Sequence, residues 1–140
     1  MYVFPRGNDY VLRLVRGEDV IECLNKFAAD HGPLLASVTG IGAVDQCRLG
    51  LYSLKDKKYL EKSFEGEFEV LSLVGNITTK EGEPYVHVHM VVGDRDMNVK
   101  GGHLGYARIA VTGEIFIKVY EGRLEREQDP EIGINMLVEP

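Results

Sequence analysis

Three of the chain's four histidines fall in one stretch, Pro84 to Gly105, which reads PYVHVHMVVGDRDMNVKGGHLG. In a strand, residues i and i+2 point to the same face, roughly 6 to 7 Å apart. His87 and His89 would then stand side by side, with Val86, Val88 and Met90 on the opposite face. Two such rings can converge on one ion at Zn–N distances of about 2.0 to 2.1 Å. Gly93-Asp94 marks a turn, with Met97 and Val99 extending a hairpin, and the chain returns through Gly101-Gly102-His103. If the return strand pairs with 85–92, His103 comes back to the same region. The glycine pair allows close backbone approach and positive φ, either of which could aim the third ring inward. Three imidazoles without a fourth protein ligand make an open site, with one position for water or substrate. Neutral imidazoles suit zinc, and also nickel, copper or iron. The competing reading is three half-exposed histidines that share a hairpin. Glu67, Glu69 and Glu114 are candidates for a partner to an imidazole N–H, or for a general base beside metal-bound water; taken singly, each reads more readily as a solvated or paired surface charge.

Other chemistries find less support. Gly40-Ile41-Gly42 begins like a dinucleotide fingerprint, but Asp45 stands where the third glycine is needed and a strand follows instead of a helix. The glycines fit sheet bends or tight subunit contacts better. No GxSxG occurs, and Ser72 lies within an apolar strand. Cys23 and Cys47 lack CxxC spacing and read as reduced, packed thiols. A net charge of -6 argues against a surface that neutralises many phosphates, and Lys55, Lys57, Lys58 and Lys62 alternate with Asp56 and Glu61. The N-terminus has no apolar leader, and no run approaches the ~18 apolar residues of a membrane helix. The expectation is a cytoplasmic protein with no membrane partner.

The elements that must position these residues are mostly strands. Residues 9–15 (DYVLRLV) alternate as a strand. Val20, Ile21, Leu24, Phe27 and Ala28 form a helical stripe. Glu18 and Asp19 stand at its N-terminal end, His31 at its C-terminal end, and Gly32-Pro33 as the stop. From Leu34 on, strand segments of about 6 to 10 residues are broken by Gly, Asp or Pro. Ile134, Met136 and Val138 could add a short edge strand. This predicts one α+β domain over residues 1–140, with its core at about 9–138: a mostly antiparallel multistranded sheet with one main helix packed on it.

The chain also resembles a known family, the plants-and-prokaryotes-conserved (PPC) domain of the free-standing prokaryotic type. The matching stretches are Arg13-Leu14 with Gly17-Glu18, Gly40 to Val44, Leu49-Gly50 with Tyr52, and Glu69 to Ile77. His87-Val88-His89, Gly101 to Leu104 and Asp129 to Gly133 follow in order. The resemblance implies an α+β fold, a homotrimer, and a metal held by His87, His89 and His103. Plant members carry Gly-Arg-Phe-Glu-Ile-Leu where this chain has Gly66 to Leu71, with Glu67 reversing the charge, and no AT-hook (an Arg-Gly-Arg-Pro core) is present. The expected function is therefore a trimeric metal-binding protein, with zinc as the expected divalent ion, that takes a small-molecule ligand or supports undefined chemistry. The alternatives are a DNA-associated regulator, as the family's label suggests, and a metal-dependent hydrolase or lyase.

Overall fold

A computed structural model describes residues 1–32 and 34–140; Pro33, half of the expected helix stop, lies outside the described residues. The elements are β1 (Tyr2–Arg6), β2 (Asp9–Val15), α1 (Val20–His31), β3 (Leu35–Ser53), β4 (Lys58–Lys80), β5 (Glu83–Gly93), β6 (Val99–Tyr120), β7 (Glu125–Gln128) and β8 (Asn135–Val138).

The α+β expectation is overturned. Strand accounts for 69% of the chain and helix for 9%, so this is a mostly-β fold in which one short helix makes no layer of its own. The misreading has a local cause, because residues taken as strand ends are bends inside strands. β3, β4 and β6 run for 19, 23 and 22 residues. β3 passes through Gly40, Gly42 and Asp45 with register shifts where the ladder bulges. Gly42 is needed there for space, since a Cβ would lie 2.4 Å from the Thr112 carbonyl oxygen of β6. β1 and β7 were not foreseen at all.

The strands make one eight-stranded sheet in the order β1-β2-β6-β3-β4-β7-β8, with β5 bridging β4 and β6. All pairs are antiparallel except β4 with β7. The pairings β3–β4–β5–β6–β3 thus form a closed circuit. Alternation sends Leu12, Leu14, Val38, Ile77, Val88, Met90, Ile115 and Ile117 into a common core. Full burial of one such side chain contributes about 1.5–3 kcal/mol. The helix adds Val20, Cys23, Leu24, Phe27 and Ala28 to the same core and lies against β5 and β6. Asp19 caps it, and Gly32 ends it at φ +78. Both cysteines are free and buried, and burial pushes the Cys23 thiol up to about 11, which keeps it protonated. Among the described residues, no helix is long and apolar enough to cross a membrane.

Candidate metal centre

β5 alternates as its sequence requires. Val88 and Met90 are buried in the core, and His87 and His89 face the other way. β6 returns antiparallel, with His103 directly opposite His89. On its other side His103 is opposite Gly50 of β3, so the third ring comes from a strand held on both edges. Gly102 makes this possible: a Cβ there would sit 2.6 Å from the Gly50 carbonyl oxygen. Positive φ plays no part, since neither Gly101 nor Gly102 adopts it.

The three rings gather. Centroid separations are 5.2 Å for His87–His89, 5.2 Å for His87–His103 and 5.7 Å for His89–His103. One ligand-type nitrogen from each lies within 4.8 Å of the other two, a spacing that can hold one metal ion. Burial, and secondarily the Arg126 charge and the neighbouring rings, lowers the His87 pKa to about 4. Burial and then His89 lower that of His103, with Glu61 opposing. Both rings are therefore neutral near pH 7, the form in which imidazole ligates. His103 Nδ1 is buried and lacks a hydrogen-bond partner among the described residues. A buried, unpartnered nitrogen is costly unless something else fills its lone pair, so the donor set fits a metal ion.

Several surrounding residues went unnoticed in the sequence. Tyr59 stacks on His103 with centroids 4.4 Å apart, and Tyr52 meets Tyr59 edge-on at 5.3 Å. The Tyr52 hydroxyl donates to the Ile132 carbonyl at 2.6 Å, tying this wall to the turn between β7 and β8. Glu61 is opposite Gly50, and its carboxylate is already engaged by Arg48 Nε at 3.2 Å. The three carboxylates marked in the sequence do not join the histidines. Glu67 pairs with Arg95 on the surface, Glu67 and Glu69 line a separate groove of about 770 Å³ with Phe68, Leu71 and Val111, and Glu114 is opposite Arg13. The fourth histidine, His31, donates from Nδ1 to the Phe27 carbonyl at 2.7 Å and stacks on the Phe27 ring, a role within the helix end.

Comparison with known proteins adds to this geometry. The sequence profile of the Plants and Prokaryotes Conserved (PCC) domain matches residues 1–121. None of the curated proteins matches the chain. Among solved structures, a protein from Bacteroides thetaiotaomicron named as a candidate DNA-binding protein is 31% identical, with TM-score 0.94 over 98% of this chain and 96% of its own. A metal-containing protein from Archaeoglobus fulgidus is 30% identical, with TM-score 0.86 over 97% and 96%. A plant- and prokaryote-conserved protein from Pyrococcus horikoshii is 28% identical, with TM-score 0.85 over 96% and 94%.

Proposed function

The chain belongs to the Plants and Prokaryotes Conserved domain family, and from that premise we propose that it is a metal-binding protein whose His87, His89 and His103 hold a divalent ion, with a small ligand taking the open position. The observation that carries this reading is the convergence of three donor nitrogens within 4.8 Å of one another, together with the orphaned His103 Nδ1. The metal-containing relative from Archaeoglobus fulgidus supports it. Three imidazole nitrogens suit zinc, the ion proposed here, as they also suit nickel, copper or iron. Bound there, zinc would act as a Lewis acid toward whatever occupies the fourth position. The protein's own contribution is orientation: β5 fixes two rings, the Gly50–Gly102 approach fixes the third, and Tyr59 covers it.

Metal analysis of protein purified without an affinity tag tests this directly. The wild type is expected to hold about one ion per chain, and His89→Ala and His103→Ala to lose it, with affinity lower by on the order of a thousandfold. Unchanged metal content in both variants removes the site.

The reading includes a cytoplasmic homotrimer. Ile41, Leu71, Val74, Val111 and Phe116 form an exposed apolar face on β3, β4 and β6, and they line adjoining shallow grooves. Such a face on a soluble chain calls for cover. Light scattering is expected to return three times the chain mass of 15.7 kDa, and Val111→Asp is expected to lower it; a monomeric wild type ends this part of the proposal. DNA binding, carried by the name of the Bacteroides relative, stays outside the proposal, because a net charge of -6 works against phosphate neutralisation.

A further inference from the structure

Among the described residues Arg126 is the one buried cation, and its place in the sheet is unusual. It lies on β7, beyond the residues that the family profile matches. It is only 6% exposed, yet it makes no ion pair with a carboxylate among the described residues. Its partners are all neutral: Nε donates to Thr78 Oγ1 at 2.9 Å, Nη2 to Asn76 Oδ1 at 2.9 Å, and Nη1 to the Asn135 carbonyl at 2.8 Å. The guanidinium carbon stands 4.8 Å from the centroid of the Tyr85 ring.

Those contacts locate the charge. On the paired strands β4 and β5, Thr78 is opposite Tyr85 and Asn76 is opposite His87. Residues two apart share a face, and directly opposed residues are cross-strand neighbours. Thr78, Tyr85, Asn76 and His87 are therefore the four corners of one patch. Arg126 bonds or covers three of those corners, and the fourth is a member of the histidine cluster.

The charge balance of this patch is one-sided. Three neutral imidazoles would leave a divalent ion its full charge, and Arg126 adds another positive charge one residue pair away. The opposing carboxylate on the His103 side, Glu61, is bound to Arg48. A buried guanidinium with no counter-ion is costly, and an anion in the adjacent site would relieve it.

We infer that the ligand of this site is a small oxyanion, a carboxylate or a phosphoryl group, and that Arg126 is the residue that sets this preference. The inference rests on the three-histidine metal reading. Arg126 acts here as a positioning charge, held by Thr78, Asn76 and Tyr85 so that its field lies along the β5 face. The β7–β8 hairpin thereby becomes a specificity element of the site as well as its wall.

The test uses cobalt(II)-loaded full-length protein, whose visible absorption reports what enters the open position. Acetate, inorganic phosphate and imidazole are titrated into the wild type, Arg126→Met and Arg126→Lys. The expected result is that Arg126→Met weakens acetate and phosphate by about tenfold and leaves imidazole, a neutral ligand, unchanged. Arg126→Lys is expected to keep most of the anion affinity, and the tighter of acetate and phosphate identifies the oxyanion class. Arg126→Gln, which retains an amide donor for Thr78 or Asn76, replaces Arg126→Met if that variant does not fold. Equal weakening of all three ligands would assign Arg126 a purely structural role, and unchanged anion affinity would leave it no role in selection; either overturns the inference alone. Wild-type protein that takes up no cobalt overturns the metal reading and this inference with it.

Discussion

Two polar clusters touch β6 and its neighbours, and they treat their polar atoms in opposite ways. In one, Asp19 is 9% exposed and both its oxygens are committed. Its Oδ1 accepts the Glu22 N–H at 2.8 Å, capping α1, and its Oδ2 accepts the Ala107 N–H of β6 at 2.9 Å. Backbone bonds from Gly17 to Ile109 and from Ile109 to Glu18 close the corner. In the other, His103 Nδ1 is buried and left without a partner among the described residues. The first cluster is completed by the chain itself, with a backbone partner for each Asp19 oxygen. The converging nitrogens of the second cluster are what the metal proposal rests on.

The largest expected effect that could break this contrast is at Asp19. Asp19→Ala removes a cap and leaves the Ala107 N–H unsatisfied, and is expected to cost about 2–3 kcal/mol in urea denaturation, with metal content unchanged. Loss of metal in that variant would mean the two clusters are coupled.

A smaller effect sharpens the other side. Because the folded His87 pKa lies near 4, below the ordinary 6.5, the folded metal-free protein binds fewer protons than the unfolded chain over that interval. The contribution of this ring to stability is therefore constant above about pH 6.5 and falls as pH drops toward 4. The loss is up to about 2 kcal/mol, allowing for partial access of water to the ring. Thermal melts of chelator-treated protein across this range measure it, and His87→Ala should remove most of the slope. A slope that persists in the variant would place the titration elsewhere.

The smallest effect is at Tyr59, which touches the site but offers it no ligand-type nitrogen. Tyr59→Ala is expected to weaken metal binding by about tenfold, because the stacked His103 ring loses its support. Fold stability should change by no more than about 1 kcal/mol. A competition titration against a metal-binding dye separates this from a variant whose metal affinity is untouched.

How much of this was readable in the residues depends on how far apart in sequence the partners lie. His87 and His89 were legible because strand alternation is a two-residue rule, and His103 because a turn and a return strand follow within one hairpin. Tyr59, Glu61 and Arg126 were not. Tyr59 reaches His103 because β3 lies between β4 and β6, and the backbone pairing that brings Arg126 to the His87 neighbourhood is one parallel bridge, Thr79 to Glu125. No local pattern encodes either pairing. The α+β expectation failed for a related reason. Gly40, Gly42, Asp45 and Gly66 look like punctuation in the sequence but lie inside long strands, and at Gly40 and Gly42 the reason is the β6 backbone that presses against them. The carboxylates chosen as helpers, Glu67, Glu69 and Glu114, sat on strands as expected but pointed into other parts of the sheet.

The antiparallel pairing of His89 with His103 also bears on the order of events during folding. That hairpin closes a loop of modest length, whereas the ladder that pins β3 to β6 joins residues as distant as Leu35 and Tyr120. Short-range closure is cheap in chain entropy and fast; long-range closure is slow. A metal ion could therefore be captured by the nascent hairpin while most of the sheet is still unformed. Affinity for such a precursor would reduce the net stabilisation the ion confers at equilibrium and would appear instead as faster refolding, making the ion a nucleus for the chain as well as its passenger.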